Sequence, residues 1–391
     1  MASPRHVLVI GGTLPIGRHV VHHLVTGGNL PEGSTIRVVD RRLLPMAQLS
    51  PAHERAFAQV EYIQANMGNV KAVERVFARS DDSGAPSSFH WVFNCASDAG
   101  EWEVEEVWNQ RFVKRPLLCA RQAVHTKVEA YIHLSSGNFY PDDPEGLPDE
   151  SMPLMGNDYS AKYTRIMEET LKEVPGLPLI ILRPAFPWGL EDRSFTMAVL
   201  VSCDLHTRAG EPWVLLWNKS HRIQGCNYTD IARAFTHLAK WYESANVSKD
   251  QTVVYNLAGT AEISKLFMGG TGLRNSSSSI CSHPTLCIAP SQINRTVEEM
   301  WLRLLNQEGV QDSPLIPYIS IEFLTRRTFR VDGSAITRET GFNYEHDGAI
   351  TAEAIGAIMQ DYMDRGLWPS RTLYKPAPKN PLCAPNKTGA N

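Results

Sequence analysis

The chain has 391 residues, of which 43% are hydrophobic and 20% are charged, with 38 Lys and Arg against 42 Asp and Glu. This length predicts about two or three domains, or one large α/β domain with an embedded cap. The formal net charge of −4 gives no global basic field, so nucleic acid is not expected as a partner. No apolar run approaches the roughly 18 residues of a membrane-spanning helix, so no membrane association is expected either.

The first apolar stretch, Val7–Ile10, runs directly into Gly11 and Gly12, which is unlike a secretory signal. The 7 cysteines are scattered and odd in number, so a disulfide framework is not expected. The one dense patch, Cys281, His283 and Cys287, lacks paired C-x-x-C knuckles. We therefore expect a loop with incidental cysteines there, no metal site, and a cytoplasmic protein.

Short apolar runs alternate with amphipathic segments through the first half of the chain. The runs typical of buried strands are 6–10, 36–39, 60–63, 91–93, 131–134 and 179–182. Helical periodicity follows at 16–25, 70–77 and about 103–125. This alternation predicts an α/β fold with a doubly wound parallel Rossmann sheet.

The rhythm changes after Arg183 and Pro184, where Pro, Trp and Gly become frequent. We predict a dinucleotide-binding Rossmann domain over residues 1–183 and a smaller C-terminal α/β substrate-binding cap over most of 184–374. Within the latter, 253–257 is expected to return to the sheet as a strand, and 268–290 to be a flexible insertion. The Pro- and Lys-rich tail, 375–391, is expected to be disordered.

A glycine-rich turn, Gly11–Gly17, lies between the first predicted strand and the first helix. Such a turn lets backbone N–H groups and the positive helix N-terminus face a pyrophosphate. Asp40 ends the second predicted strand, where a carboxylate can accept hydrogen bonds from an adenosine ribose. The alternative is that the glycines merely let the helix pack on the sheet.

The segment Ile10–Gly17 resembles the TGxxGxxG turn of extended short-chain dehydrogenases/reductases, the NAD-dependent epimerase/dehydratase family. Gly11 and Gly17 match the first and third glycines, but the middle one is Leu14. Pro15 is tolerable because an early helical position needs no N–H donor. Further matches follow in the order of the family: Asn66-Met67, Phe93–Ala96, His133–Tyr140, Leu182–Pro184, Trp188-Gly189, Tyr228–Ala234 and Arg338–Phe342.

The resemblance spans roughly residues 5–370 and implies NAD as the cofactor. The residues that it places at the cofactor are Gly11, Thr13, Leu14, Pro15, Ile16, Gly17, Asp40, Arg41, Asn66, Met67, Ala96, Lys162 and Pro184. NAD is expected over NADP because Asp40 would repel a 2′-phosphate, although Arg41 and Arg42 leave NADP open by offering a clamp for that phosphate.

The resemblance also implies a catalytic Ser136 and a Tyr/Lys pair in which the Lys lowers the pKa of the Tyr hydroxyl. In the family the two are four residues apart, whereas Tyr159 and Lys162 are three apart. Aligning Lys162 puts Asp158 in the tyrosine position, and aligning Tyr159 puts Tyr163 in the lysine position. Residues at i and i+3 still share a helical face, so a shifted working pair and a helix that has lost catalysis both remain open.

Four tryptophans lie in or beside the predicted cap, where core packing is favoured over a substrate pocket: Trp188, Trp213, Trp217 and Trp241. Arg222 is one position out of register with the arginine that holds a phosphate in nucleotide-sugar enzymes of the family. The sequence therefore does not favour a nucleotide sugar as the substrate. A hydrophobic alcohol or ketone fits the tryptophan-rich cap equally well.

The sequence predicts an NAD(P)-dependent oxidoreductase or epimerase/dehydratase acting at a secondary alcohol or ketone of a small molecule, with a homodimer as its assembly. The alternative is an atypical member that binds a dinucleotide without hydride transfer and serves as a sensor, scaffold or RNA-associated protein. The altered Leu14 and the Tyr/Lys spacing favour the alternative, and the preserved Ser136 favours the enzyme.

Overall fold

The fold was analysed in a computed structural model, which describes residues 3–27, 30–80, 83–96, 103–141, 146–156, 158–210, 222–245, 247–249, 251–261, 290–319, 328–348 and 350–370. The predicted tail at 375–391, and the predicted insertion at 268–290 except for its last residue, lie outside these ranges.

The strands are β1 (His6–Ile10), β2 (Thr35–Asp40), β3 (Glu61–Gln64), β4 (Arg79–Ser80), β5 (Pro86–Ser87), β6 (Trp91–Asn94), β7 (Ala130–Leu134), β8 (Leu179–Pro184), β9 (Pro187–Trp188), β10 (Arg222–Ile223), β11 (Cys226–Asn227), β12 (Val253–Leu257) and β13 (Thr328–Phe329). The α-helices are α1 (Pro15–Thr26), α2 (Pro51–Phe57), α3 (Val70–Phe77), α4 (Glu105–Trp108), α5 (Arg115–His125), α6 (Tyr159–Lys172), α7 (Phe195–Ala209), α8 (Tyr228–Ser244), α9 (Pro290–Glu308), α10 (Ser334–Thr340) and α11 (Ala352–Asp364). Short 3₁₀ turns cover Leu44–Ala47 and Gly137–Phe139.

Seven parallel strands form the central sheet in the order β12-β8-β7-β6-β1-β2-β3. The chain first builds outward from β1 through β2 to β3, and then restarts at β6 on the other side of β1. This reversal leaves a crevice outside the carboxyl ends of β1 and β6, the place where doubly wound sheets bind ligands. The predicted fold class is confirmed, and 253–257 is the edge strand β12.

Both faces of the sheet are covered, which explains why its strands are continuous apolar runs. Along β1, Val7 and Val9 belong to the apolar cluster that includes side chains of α1 and α8. Leu8 and Ile10 belong to the opposite cluster, with side chains of α3, α5 and α6. Alternate residues of one strand therefore anchor both helical layers.

A π-helical segment, Asn109–Lys114, joins α4 to α5, so that the chain is helical without interruption from Glu105 to His125. At its end the amide of Arg115 donates to the carbonyl of Gln110, five residues earlier. The sequence predicts the amphipathic helix here but not the π segment.

Two compact units are formed, and the larger takes in residues within 1–192, 217–272 and 320–361. In the smaller unit, the indole rings of Trp301 and Trp368 pack edge to face with their centroids 5.8 Å apart. Nε1 of Trp301 donates to the carbonyl of Leu315 at 2.9 Å, and Nε1 of Trp368 donates to Oδ2 of Asp204 at 3.1 Å. Two satisfied tryptophans therefore form part of the core of this unit.

A buried ion pair connects α6 to β8 in the larger unit. Arg183 holds Glu168 with two hydrogen bonds, Nε to Oε1 at 2.9 Å and Nη2 to Oε2 at 2.5 Å. Ser135 donates to the same Oε1 at 2.5 Å, and Nη1 of Arg183 donates to the hydroxyl of Tyr140 at 2.6 Å. Burial raises the pKa of Glu168, but the bonds and charge of Arg183 outweigh it and lower that pKa overall. The carboxylate therefore remains charged and fixes the ends of β7 and β8.

Glu168→Gln should destabilise the protein by about 3–5 kcal/mol, because it leaves the Arg183 guanidinium buried without its counter-charge. The measurement is urea unfolding of the two proteins followed by circular dichroism. The matched control is Glu169→Gln on the exposed face of α6, which should stay within about 0.5 kcal/mol of the wild type. Equal unfolding curves for the two variants would contradict the role assigned to this pair.

Candidate functional site

The glycine turn lies at the switch point of the sheet. Gly11 has φ of +77°, and a Cβ placed on it would lie 2.8 Å from the backbone N and Cα of Ala96, just beyond β6. A Cβ on Gly17 would collide with the carbonyl oxygen of Gly11. The packing role considered for these glycines is thus present, and their contact with a pyrophosphate stays a prediction.

Leu14 occupies the N-cap of α1, with Pro15 as the first helical residue. Its amide donates to the carbonyl of Gly11 at 3.2 Å, which closes the turn. The first amides of a helix have no partner within the helix, so those of Ile16 and Gly17 are the donors that an anion here would use. The Leu14 side chain is half-buried and lines the adjoining cavity.

Arg18, the residue after the last glycine, is fully buried beneath this turn and pairs with the equally buried Glu191. Its Nη2 donates to the carbonyls of Thr13 at 2.5 Å and Ala47 at 3.1 Å. The Glu191 carboxylate also accepts from the amide of Ser50 at 2.6 Å and contacts Nδ1 of His53 at 2.8 Å. Burial raises the pKa of Glu191, but His53 and Arg18 together lower it far below its usual range. Three separate segments therefore meet on one ion pair.

Asp40 fixes the other side of the turn. Its Oδ2 accepts from the backbone N of Thr13 at 3.1 Å and from the Thr13 hydroxyl at 2.7 Å. Its Oδ1 accepts from the amides of Arg41 at 2.7 Å and Arg42 at 3.3 Å. The carboxylate is therefore held rigidly at the end of β2, with its charge beside the cavity described next.

A narrow cavity of about 30 Å³ opens between the ends of β1, β2, β3 and β6. Its lining includes seven of the predicted cofactor residues: Gly11, Leu14, Asp40, Arg41, Asn66, Met67 and Ala96. The predicted Thr13, Pro15, Ile16, Gly17, Lys162 and Pro184 are not part of this lining. The cavity has room for about one or two water molecules, so an adenosine would require the long side chains around it to move.

Arg115, the first residue of α5, also lines this cavity and was not predicted. Its Nη2 donates to the carbonyl of Ala96 at 2.7 Å. The sequence offers no signal for it, because Arg111, Lys114 and Arg115 are three neighbouring basic residues of one helix. Which of them faces the sheet is decided by the π segment that precedes α5.

Lys162 is held by a residue that the sequence analysis missed. Its Nζ lies 2.5 Å from Oε1 of Glu105 in α4, and the Tyr163 hydroxyl donates to the same oxygen at 3.1 Å. The hydrogen bond to Glu105 raises the pKa of Lys162. The Tyr159 ring is exposed and lies 6.3 Å from the ring of Tyr163 and 6.4 Å from that of Trp108. The ammonium is therefore engaged by a carboxylate, with both tyrosines beside it.

Asp158 is the N-cap of α6, and its Oδ1 accepts from the amide of Ala161 at 2.8 Å. This cap explains why the helix begins at Tyr159. An Asp158 acting in place of the tyrosine would have to leave the cap, which weakens the Lys-anchored alignment.

Ser136 follows β7 and begins a 3₁₀ turn, where its Oγ accepts from the amide of Asn138 at 3.2 Å. Asn138 in turn accepts from the amide of Phe186 at 2.9 Å, just after β8. The turn-capping role is present, and the hydroxyl proton of Ser136 can still be donated to another acceptor.

Three further expectations concern metals, membranes and tryptophans. Among the described residues no group of three potential ligands could hold a metal ion, and the Cys281 patch lies outside them. No helix in the described ranges is long and apolar enough to cross a membrane. Trp188 is buried, and Trp241 packs against Tyr255 of the core at 5.9 Å, whereas Trp213 and Trp217 lie outside the described residues.

The fold and the glycine turn agree with what comparison of the sequence with protein families finds. The NAD dependent epimerase/dehydratase family matches residues 7–258, and the chain belongs to this family. This confirms the predicted family and NAD-dependent epimerase/dehydratase as the class of enzyme. No curated protein sequence matches the chain significantly.

Solved structures of the same fold cover nearly the whole chain. The dTDP-glucose 4,6-dehydratase DesIV from Streptomyces venezuelae, a double mutant with NAD and DAU bound, is 16% identical, with a TM-score of 0.62 over 93% of this chain and 98% of that one. The enzyme WbmG from Bordetella bronchiseptica, in complex with NAD and UDP, is 16% identical, with a TM-score of 0.57 over 93% and 97%. The UDP-glucose 4-epimerase from Thermotoga maritima, with UDP-glucose, is 16% identical, with a TM-score of 0.58 over 92% and 99%.

Gly11→Ala should destabilise the larger unit by at least about 1–3 kcal/mol, because the new Cβ combines a strained φ with a collision against Ala96. Thermal unfolding measures this loss without any ligand. Gly176→Ala is the matched control, since φ there is +70° but a Cβ meets only Cγ1 of Val124 at 4.0 Å. Equal losses for the two variants would show that the close approach at Ala96 contributes nothing.

Proposed function

We propose that the chain binds NAD at the glycine turn and catalyses hydride transfer at a secondary alcohol or ketone of a small molecule, within an oxidoreductase or epimerase/dehydratase reaction. The observation that carries this proposal is the convergence of seven cofactor candidates on one cavity at the switch point of the sheet. We propose further that the protein is cytoplasmic, acts as a homodimer and has no nucleic-acid partner.

Asp40 supports the choice of NAD. Its carboxylate is fixed by four donors at the cavity wall, where its charge would repel the 2′-phosphate of NADP. These four donors fill the roughly four acceptor positions of the carboxylate, so a ribose hydroxyl would have to displace one of them, and the 3.3 Å bond from the Arg42 amide is the longest of the four. Arg41 lies beside Asp40 on the cavity wall. The preference for NAD over NADP therefore depends on whether the 2′ position of the ribose contacts the Asp40 carboxylate or the Arg41 guanidinium.

Arg115 is proposed as an additional cofactor contact. The guanidinium now bonded to the Ala96 carbonyl lies across a cavity that is too small for an adenosine. Movement of this side chain would both open the cavity and place a bidentate donor beside the pyrophosphate.

For catalysis we assign the proton at the substrate oxygen to the Tyr159 hydroxyl, with Lys162 as the neighbouring cation and Ser136 donating to the same oxygen. When bound, NAD would supply the hydride acceptor. Lys162 would have to exchange some of its bonding to Glu105 for the tyrosine, and both groups are exposed enough to do so. The exposure of the Tyr159 ring is consistent with a residue that meets a substrate.

The substrate class is proposed from chemistry alone as a secondary alcohol or its ketone. Three enzymes of the same fold are described with UDP, UDP-glucose or as a dTDP-glucose dehydratase, which makes nucleotide sugars the first compounds to test. Hydrophobic cyclic alcohols and ketones form the second group, because the arginine expected for a sugar nucleotide is out of register.

Two contacts favour the second candidate function, a dinucleotide-binding protein without hydride transfer. The ammonium of Lys162 is neutralised by Glu105, and the Asp158 carboxylate is committed to capping α6. Under this hypothesis NAD binds, yet no member of the substrate panel is converted.

Wild-type protein should bind NAD more tightly than NADP in calorimetric titrations, and Arg115→Met should weaken NAD binding about tenfold, or 1.4 kcal/mol. Arg111→Met is the control, because Arg111 pairs with Glu103 at 3.1 Å and does not line the cavity. Tighter binding by Arg115→Met would identify the arginine as an obstruction. NADP binding tenfold tighter than NAD would contradict the assignment of Asp40.

Tyr159→Phe should lower turnover by about 10²-fold or more and leave NAD affinity nearly unchanged, since the hydroxyl acts chiefly in proton transfer. Turnover is followed as product formation by chromatography with nucleotide sugars, because an epimerase or dehydratase cycle returns the hydride and leaves no net NADH, and as NADH absorbance with secondary alcohols. Tyr163→Phe, which removes only the hydroxyl bonded to Glu105, is the matched control and should retain most of the activity. Full turnover by Tyr159→Phe would remove this residue from the mechanism.

A further inference from the structure

A second cavity, of about 250 Å³, lies in the larger unit between the last turn of α1, one face of α8 and the end of α10. It shares no lining residue with the cavity at the glycine turn. The first cavity is lined by Leu14, the N-cap of α1, whereas His23 comes nine residues later, or roughly 13 Å along the helix. The two are therefore separate places on the molecule.

Basic side chains dominate this second cavity. Arg233, His237 and Lys240 project from one face of α8 at i, i+4 and i+7, and His23 faces them from α1. The described lining contains no acidic side chain. Four groups that are or can become cationic thus line the space, and the carboxylates that lie nearby are outside its lining.

The nearby acidic groups are already engaged. Arg233 pairs with Asp230 at 2.8 Å and with Glu345 at 3.0 Å, so its charge is largely balanced. Glu243 is bonded to Arg5 at 3.0 Å and to Nε1 of Trp91 at 2.6 Å. Lys240 makes no hydrogen bond or ion pair with any described residue, and partial burial lowers its pKa. The lysine charge is therefore the one that a ligand would neutralise.

A buried hydroxyl in the same wall has no partner. Thr236 is 3% exposed and lines the cavity, yet its Oγ1 makes no hydrogen bond within the described structure. The hydroxyl of a helical threonine can donate to the carbonyl oxygen four residues earlier, and the Thr236 hydroxyl does not make this bond. An unmade bond of this kind is costly, and the cavity that Thr236 lines is the place where an acceptor could complete it.

His237 is oriented for the same purpose. Its Nε2 lies 3.0 Å from the carbonyl oxygen of Thr340, which can only accept, so Nε2 carries a proton. The opposite nitrogen, Nδ1, is then the atom that gains a proton when an anion approaches. Phe342, which packs edge to face on the His237 ring at 5.4 Å, supplies the apolar wall.

We propose that this cavity is a binding site for a phosphate group, either inorganic phosphate or the phosphate monoester of a small metabolite, held by Lys240, His23, His237 and the Thr236 hydroxyl. Its volume is below the range of about 300–1,000 Å³ usual for drug-sized ligands, so a dinucleotide does not fit. The inference does not rest on the proposed enzymatic function, since none of these residues belongs to the glycine turn or to the Tyr159 cluster.

The test uses the full chain with sulfate and inorganic phosphate as probes, in thermal-shift and calorimetric titrations at constant ionic strength against chloride. Both anions should raise the unfolding temperature of the wild type with saturation, and equally so in the presence of saturating NAD. A sulfate effect that disappears with NAD would place the anion at the glycine turn and overturn the proposal.

Two variants locate the anion. Lys240→Gln should weaken sulfate and phosphate binding at least tenfold, whereas Lys71→Gln, the same charge removed from an exposed position of α3, should not change it. Thr236→Val should also weaken binding, yet unfold without anions at a temperature equal to or above that of the wild type, because it removes an unpartnered hydroxyl. Unchanged anion affinity in both Lys240→Gln and Thr236→Val would overturn the site.

Discussion

The buried ion pair of Arg18 and Glu191 is the interaction on which the candidate cofactor site depends. One guanidinium binds the carbonyl oxygens of the glycine turn and of the segment after β2, while its carboxylate partner holds the amide that begins α2. Glu191 itself has φ of +60°, a conformation that costs energy for a residue with a side chain. Such a geometry persists because both side chains are completely removed from water and would be charged without compensation if separated.

The same pair shows what a sequence can and cannot reveal. The strands around the site were predictable because parallel strands buried on both faces are continuous apolar runs, and in β1, β7 and β8 the charged or ionisable exceptions are His6, Tyr131, His133 and Arg183. The glycine turn was predictable because its spacing is local. The role of Glu191 was not predictable, because it is far along the chain from Arg18 and nothing in the neighbouring sequence distinguishes it from a surface carboxylate.

Helix α6 illustrates the limit in a different way. Its start was visible as a family match, but the position of Asp158 as N-cap sets the true first residue and thereby the face on which Tyr159 and Lys162 lie. The partner of Lys162 comes from α4, and its identity depends on how two helices approach each other. Spacing within one helix predicts which side chains are neighbours, whereas tertiary packing determines which of them pair.

The π segment between α4 and α5 carries one residue more per turn than the α-helices on either side. Deleting a single residue between 109 and 114 would restore a regular helix and rotate one end against the other by about 100°. Glu105 would then turn away from Lys162, or Arg115 would turn away from the carbonyl of Ala96. The two ends of the candidate active site are thus kept in register by one extra residue. Surface loops readily tolerate insertions and deletions, but in this segment such a change would move Glu105 and Arg115 out of their relative orientation.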